Sequence, residues 1–543
     1  MAEKYKEYKG LNLTDIEKNV QNHWKEEHTF EQSMKIREGN KPFIFFEGPP
    51  SANGKPGIHH VMARTIKDIF CRYKSLKGYY VSRKAGWDTH GLPVELGVEK
   101  QLGITKEDIG TKISVEDYNK ACRQSVMQFK DLWDKLTEQM GYWVDLNDPY
   151  ITFTNDYIES VWWLLGEVYN KGLLYKGYTI QPYSPAAGTG LSSHELNMPG
   201  CYRDVKDTTC VAQFKISNKQ TKENEILNRL GKDIEKAYFL AWTTTPWTLP
   251  SNTALAVGDK IDYCCVESFN PYTSEPIIVF VAKNLLYTHF KKENENGDFI
   301  AYNKGDKDNA GSQSSKPAAL GGIPWKLLFE CKGKELVGID YEQLMPWVRP
   351  QESEGVAFKV ISGDYVTTED GTGIVHIAPT FGADDARVAK LANIAPLHLL
   401  DKNGKQQPMV DKTGKFFLLS DLDDNYVNTY INKDLYSKYE GRFVKNAYDP
   451  ALTEKDPTLD VDLSVELKME NKAFKIEKHT HSYPHCWRTD KPVLYYPLDS
   501  WFIRTTAIKD KLIALNKTIN WKPQATGTGR FGNWLENLVD WNL

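Results

Sequence analysis

Apolar positions fall into two textures along this chain. Pro42-Phe43-Ile44-Phe45-Phe46 is a short unbroken apolar run, the pattern of a buried strand. After a loop rich in glycine and proline come Ile58, Met62, Ile66, Ile69, Tyr73 and Leu76, spaced to share one helical face. A second short apolar run covers 79–81. Strand-like runs then alternate with long helical patterns at 115–140 and 157–171. The alternation predicts the first half of a doubly wound α/β sheet, a Rossmann-like domain over 41–203. Residues 1–40 read as a polar, helix-prone leader, with Trp24 and Phe30 free to dock it on that domain.

From 204 to 475 the texture becomes β-rich. Short runs at 208–214, 254–257 and 276–282 are separated by turn residues, which predicts an inserted β-barrel-like domain. Its most polar stretch, 291–316, reads as a mobile surface loop. Residues 476–543 read as the return into the first domain, and no internal repeat is visible.

Length sets an expectation of two to four domains for 543 residues. Apolar content of 41%, with 15 Trp and 29 Tyr, supplies ample core. A net charge of −4 argues against a generally basic nucleic-acid coat but leaves room for a local basic strip. The first residues lack an apolar signal-peptide core, and no apolar run approaches a membrane span. Eight scattered Cys suit a reducing compartment, so a cytoplasmic location with no membrane partner is expected.

Two segments carry the chemistry of the first domain. One is Gly48-Pro49-Pro50-Ser51-Ala52-Asn53-Gly54-Lys55-Pro56-Gly57-Ile58-His59-His60; the other is Gly86-Trp87-Asp88-Thr89-His90-Gly91-Leu92-Pro93-Val94-Glu95. A strand, a Gly/Pro loop and a helix start place phosphates at a helix N-terminus. In a parallel sheet both loops sit at the carboxyl edge, where ligands bind. Taken alone, His59-His60 fits surface or capping residues equally well. A shared metal is rejected, because adjacent histidines point apart on a helix and lack i, i+4 spacing.

Together the two segments resemble the signature loops of class I aminoacyl-tRNA synthetases, in the wording of the isoleucyl branch. The family tetrapeptide His-x-Gly-His stands here as Gly57-Ile58-His59-His60, with its first and third positions exchanged, and is read as variation within the family. The resemblance implies an ATP site at Gly48, Asn53, Gly57, Ile58, His59 and His60, with the two histidines catalytic. It also implies an amino-acid site at Pro49, Trp87 and Asp88. Activation needs a carboxylate to attack the α-phosphate of ATP, which arrives with Mg2+ as substrate. The carboxylate is already a nucleophile, so the protein supplies position and charge stabilisation.

In the inserted region, Trp242-Thr243-Thr244-Thr245-Pro246-Trp247-Thr248-Leu249-Pro250-Ser251-Asn252 and Gly371-Thr372-Gly373-Ile374-Val375-His376-Ile377-Ala378-Pro379 resemble the hydrolytic editing pocket of the same family. A threonine run alone also fits a plain strand. The resemblance implies Asp385 as ammonium anchor and Thr243, Thr244 and Thr245 as water and acyl contacts. Trp247, Asn252 and His376 would complete the border. Editing answers a physical limit: one methylene is worth only ~1–3 kcal/mol, a figure known from this enzyme family rather than from this chain.

The implied partners are tRNA(Ile), isoleucine and ATP, with valyl-tRNA as editing substrate and a monomer expected. No structural zinc is expected, because Ser184-Pro185-Ala186-Ala187 and Cys486-Trp487-Arg488-Thr489 stand where relatives carry paired Cys-x-x-Cys. The resemblance further places a second half of the nucleotide fold and a Lys-Met-Ser-Lys-Ser loop after Leu543. This chain is therefore expected to be a fragment, weak in adenylation. A free-standing deacylase and a non-catalytic tRNA-binding module are the competing readings.

Overall fold

A computed structural model describes residues 10–217, 224–302, 322–351, 355–453 and 455–543. Of the expected mobile loop, 303–316 lies outside the described residues, and Lys292–Asn294 forms a single 3-10 turn. Among the described residues no helix is long and apolar enough to cross a membrane. The chain divides into two compact units: Met1–Tyr175 with Phe502–Leu543, and Lys176–Trp501.

The first unit opens with helices α1 (Leu13–Glu26) and α2 (Thr29–Lys35). Trp24 meets Trp143 edge-on at 5.1 Å and Phe30 lies 5.8 Å from the same ring, so the leader docks through the aromatics its sequence offered. Strands β1 (Pro42–Phe46), β2 (Tyr80–Trp87) and β3 (Asp145–Ile151) follow in parallel, in that order across the sheet. Helix α3 (Ile58–Leu76) connects β1 to β2. Its apolar stripe is the exposed side: Ile58, Met62, Ile66, Ile69, Tyr73 and Leu76 are all more than half exposed. The buried side carries Arg64, Cys71 and Ser75. Polar groups survive there because they are paired: Arg64 Nη1 donates to Thr137 Oγ1 at 2.6 Å, and Arg83 Nη2 to Ser75 Oγ at 3.0 Å.

After α4 (Leu92–Leu102), the pattern expected as one helix over 115–140 forms two, α5 (Val115–Val126) and α6 (Lys130–Gln139). The break has a use. It leaves Phe129 N–H free to donate to Ala52 O at 2.9 Å, which seats the loop after β1 on the start of α6. Helix α7 (Asn155–Asn170) matches the second long pattern.

Among the described residues the largest sheet of the second unit has nine strands: β4 (Tyr202–Lys215), β5 (Ala237–Thr243), β6 (Ala254–Val257), β7 (Asp262–Phe269), β8 (Pro276–Ala282), β9 (Lys326–Lys332), β10 (Lys359–Ser362), β11 (Ile374–Ile377) and β12 (Ala473–Pro484). The sheet order is β9-β7-β8-β5-β11-β6-β10, with β4 joining β5 to β12. β5 therefore has three partners. A strand has two edges, so β8, paired at 237–239, and β11, paired at Trp242, take successive parts of one edge. The mixed sheet curls where they diverge, which is the form the expected barrel-like insert takes. β4 and β12 stay paired out to Tyr202 and Pro484, so the compact unit is wider than 204–475. The chain enters β11 through Gly373, at φ +72°, where a Cβ would stand 2.3 Å from that of Ala282.

Candidate functional site

In the first unit the two signature loops leave the carboxyl ends of neighbouring parallel strands, and a hydrogen bond joins them. Asp88 N–H donates to Pro50 O at 3.0 Å. From beneath, Trp133 Nε1 donates to Gly54 O at 2.9 Å, and the buried Trp87 ring packs with Trp133 and Ala52. Trp87 thus supports the loops from the core side, while Pro49 and Asp88 are half-buried at the loops themselves.

A cavity of about 430 Å³ lies against the first loop, with Gly48, Asn53, Gly54 and His60 in its wall beside Arg64 and Lys67. Glu47 is buried below it, taking Lys67 Nζ at 2.6 Å and the hydroxyl of Tyr142. Arg64 lies over Trp133, 5.0 Å from the ring centroid, and burial lowers its pKa. Basic groups around a glycine-rich loop suit a polyanion.

Helix α3 begins at this wall. His60 Nδ1 accepts the Gly57 N–H at 2.9 Å, which caps the helix start. Burial, then His59 and Arg64, push the His60 pKa down. A neutral His60 whose Nδ1 accepts carries its proton on Nε2, a free donor. The expectation that adjacent histidines point apart is corrected: the two rings lie 3.8 Å apart between centroids. The cause is Gly57. A Cβ there would be 2.8 Å from His59 Cε1, so the His59 ring folds over a position only glycine leaves clear. Ile58 points outward, 83% exposed.

In the second unit β5 ends at Thr243 and a 3-10 helix, Pro246–Ser251, follows. Thr243 Oγ1 accepts Thr245 N–H at 3.1 Å, and the Thr245 and Thr248 hydroxyls are 3.4 Å apart. Thr248 donates to Thr245 O at 2.8 Å and lies 3.1 Å from His376 Nε2 on β11. Its one proton being spent on the carbonyl, Thr248 accepts from His376 Nε2–H. That leaves His376 Nδ1 a bare acceptor, buried and without a partner among the described residues. Burial pushes the His376 pKa down to about 4, so the ring is neutral. Thr244 is half-buried beside this group.

Asp385 stands in the first turn of α8 (Ala383–Leu391), its Oδ2 accepting Ala378 N–H at 2.8 Å. Burial pushes its pKa up to about 6. The carboxylate lies over Gly382, where a Cβ would be 2.6 Å from Asp385 Cγ. Asn252 and Trp247 are placed differently. Asn252 Oδ1 takes the Tyr341 hydroxyl at 2.6 Å, and its Nδ2 donates to Ala254 O at 2.8 Å and Ile377 O at 3.4 Å. Its bonding is committed to pinning β6 against β11. Trp247 is buried and packs edge-on to Phe381 at 4.9 Å.

Sequence reasoning passed over Thr248, although it lies inside the quoted segment three residues past Thr245, the spacing that brings side chains together on a 3-10 turn. At the place of the paired Cys-x-x-Cys, burial acts to raise the Cys486 thiol pKa. Hydrogen bonds from Thr489, the Arg488 backbone and Ser184 bring it below its ordinary value. One sulfur with two hydroxyls does not fit a tetrahedral thiolate zinc site. No group of three or more His, Cys, Asp or Glu is placed to hold a metal ion among the described residues.

Comparison with known proteins bears on all of this geometry. The isoleucine–tRNA ligase of Bacteroides fragilis is 63% identical over all of this chain, which covers 45% of that protein. That of Porphyromonas gingivalis is 61% identical over all of it, covering 46%, and that of Clostridium tetani 39% over 99%, covering 43%. The chain thus spans a little under half the length of these curated relatives. The family of class I tRNA synthetases (I, L, M and V) matches residues 19–543, and the chain belongs to that family.

Proposed function

We propose that the chain carries two sites of an isoleucine–tRNA ligase: an isoleucine- and ATP-binding half-site in the first unit and a valyl-ester hydrolase pocket in the second. The observation that carries the first is the Asp88 N–H to Pro50 O bond. It fixes the loop bearing the Asp88 carboxylate, a partner for a substrate ammonium, against the loop bearing the cavity and the histidines. ATP, with its Mg2+, places its phosphates against the α3 N-terminus, where His60 Nε2–H and the His59 ring donate to phosphate oxygens. Attack by the isoleucine carboxylate on the α-phosphate then needs position rather than a base.

In the second unit Asp385 takes the ammonium of a valyl ester of tRNA(Ile). The Thr243 and Thr245 hydroxyls, with Thr245 backed by the Thr248–His376 pair, hold the attacking water. The carboxylate is charged above pH about 6, so ammonium binding strengthens as pH rises through that value. The test is calorimetric titration of a non-hydrolysable isoleucyl-adenylate analogue. Wild type and Asp385→Ala should bind alike, and Asp88→Ala about tenfold or more weaker, as expected for a lost charge-assisted bond. Equal binding by Asp88→Ala would remove the first assignment.

A further inference from the structure

Asp460 lies in neither signature segment, yet it is bonded to one. It sits in the first turn of α9 (Leu459–Met469) and is 2% exposed. Its Oδ1 accepts the backbone N–H of Trp247 at 2.9 Å, across 213 residues of sequence. Trp247 is the second residue of the 3-10 helix Pro246–Ser251, and Pro246 has no N–H. The Trp247 N–H is therefore the first orphan donor of that helix. Thr245, in the capping position, makes no side-chain cap bond. Asp460 supplies the missing cap from another helix.

Charge makes the choice of residue informative. A buried carboxylate is costly, and asparagine would offer the same carbonyl acceptor with nothing to ionise. The charge is offset by two cations, Lys445 and Lys478, and opposed by a second carboxylate, Asp207. Lys445, on the 440s loop, is held by Asp207 of β4 at 2.7 Å, and His481 Nε2 of β12 approaches the same Asp207 oxygen at 3.2 Å. Lys478 and Tyr483 of β12 face the cluster as well. The loop that carries Thr245 and Thr248 is thus tethered, through one hydrogen bond, to a buried charge network.

We propose that Asp460 is a positioning residue of the hydrolytic pocket, holding Trp247 N–H so that the Thr245 and Thr248 hydroxyls stay aligned on His376. The proposal rests on the hydrolytic reading given above. Burial pushes the Asp460 pKa up to about 7, so the anchor changes from carboxylate to the weaker-accepting acid as pH falls through that value. The Asp460 limb is the one that disappears when residue 460 no longer ionises.

The 543-residue chain is tested as wild type, Asp460→Ala and Asp460→Asn, by single-turnover hydrolysis of valyl-tRNA(Ile) and by amide hydrogen exchange over 246–251. Asp460→Ala should lower the rate constant about tenfold or more, with half-saturation unchanged to within about twofold. Asp460→Asn, an uncharged acceptor like the protonated acid, should show no limb near pH 7 and hold at pH 8 the lower rate that wild type reaches on the acid side of its limb, above that of Asp460→Ala. Exchange at Trp247 should quicken about tenfold in the Ala variant and by clearly less in the Asn variant. Wild-type rate in a folded Asp460→Ala, equal loss in both variants, or unchanged Trp247 exchange would overturn the proposal. If the Ala variant does not fold, an Asn variant with the wild-type pH limb overturns it. A wild-type chain with no hydrolysis would refute the hydrolytic reading instead, and exchange would still decide the anchor.

Discussion

At the residue scale, Asp385 shows what the second unit gives up to keep a charge ready. Its carboxyl ionises near 3.8 in the unfolded chain and near 6 in the folded one. The sign follows: its contribution to stability is complete below 3.8 and is lost as pH rises through about 6. Asp385→Asn keeps an acceptor for Ala378 N–H and removes that loss. It should raise stability at pH 8 by up to ~3 kcal/mol and leave pH 4 nearly unchanged, read from urea denaturation at both values. His376 works the other way. Its pKa falls from 6.5 to about 4 on folding, so its contribution is complete above 6.5 and is lost as pH falls toward 4. Gly382→Ala tests the carboxylate's seat. The new methyl would meet Asp385 Cγ at 2.6 Å, so ammonium binding in this pocket should weaken while the helix Ala383–Leu391 persists by circular dichroism.

Among elements, α3 joins fold to site most directly. His60→Ala removes the acceptor of the Gly57 N–H and should cost ~1 kcal/mol, measured by denaturation, along with weaker phosphate binding. At the second loop, Gly86→Ala would put a methyl 2.2 Å from the Tyr150 ring and should cost ~1–3 kcal/mol in the same assay. These elements were legible to different depths. β1, β6 and β8 begin and end where their apolar runs do; β6 and β8 are the buried strands such a run implies, whereas β1, expected buried as well, leaves Ile44 and Phe46 more than half exposed. The stripe on α3 predicted a helix correctly, but periodicity does not say which face is covered, and the paired Arg64 side is the buried one. The split of 115–140 was invisible because it answers a carbonyl at Ala52, far off in sequence. Asp460 escaped for the same reason: its partner is 213 residues away, and no local pattern marks a cap supplied from another helix.

Taken as a whole, the molecule is two compact units, each with its own core and its own candidate site. Signature residues named from sequence lie in one unit or the other, and each set is bonded within its own unit. Ligands should therefore act separately. An isoleucyl-adenylate analogue should raise the melting temperature of the first unit, and a valyl-adenosine analogue that of the second. The most direct test of the two-site account is calorimetric titration of a non-hydrolysable valyl-adenosine analogue into Asp385→Ala and Asp88→Ala. The account predicts that Asp385→Ala weakens binding about tenfold or more while Asp88→Ala binds as wild type does. Loss of binding in Asp88→Ala with wild-type affinity in Asp385→Ala would contradict it.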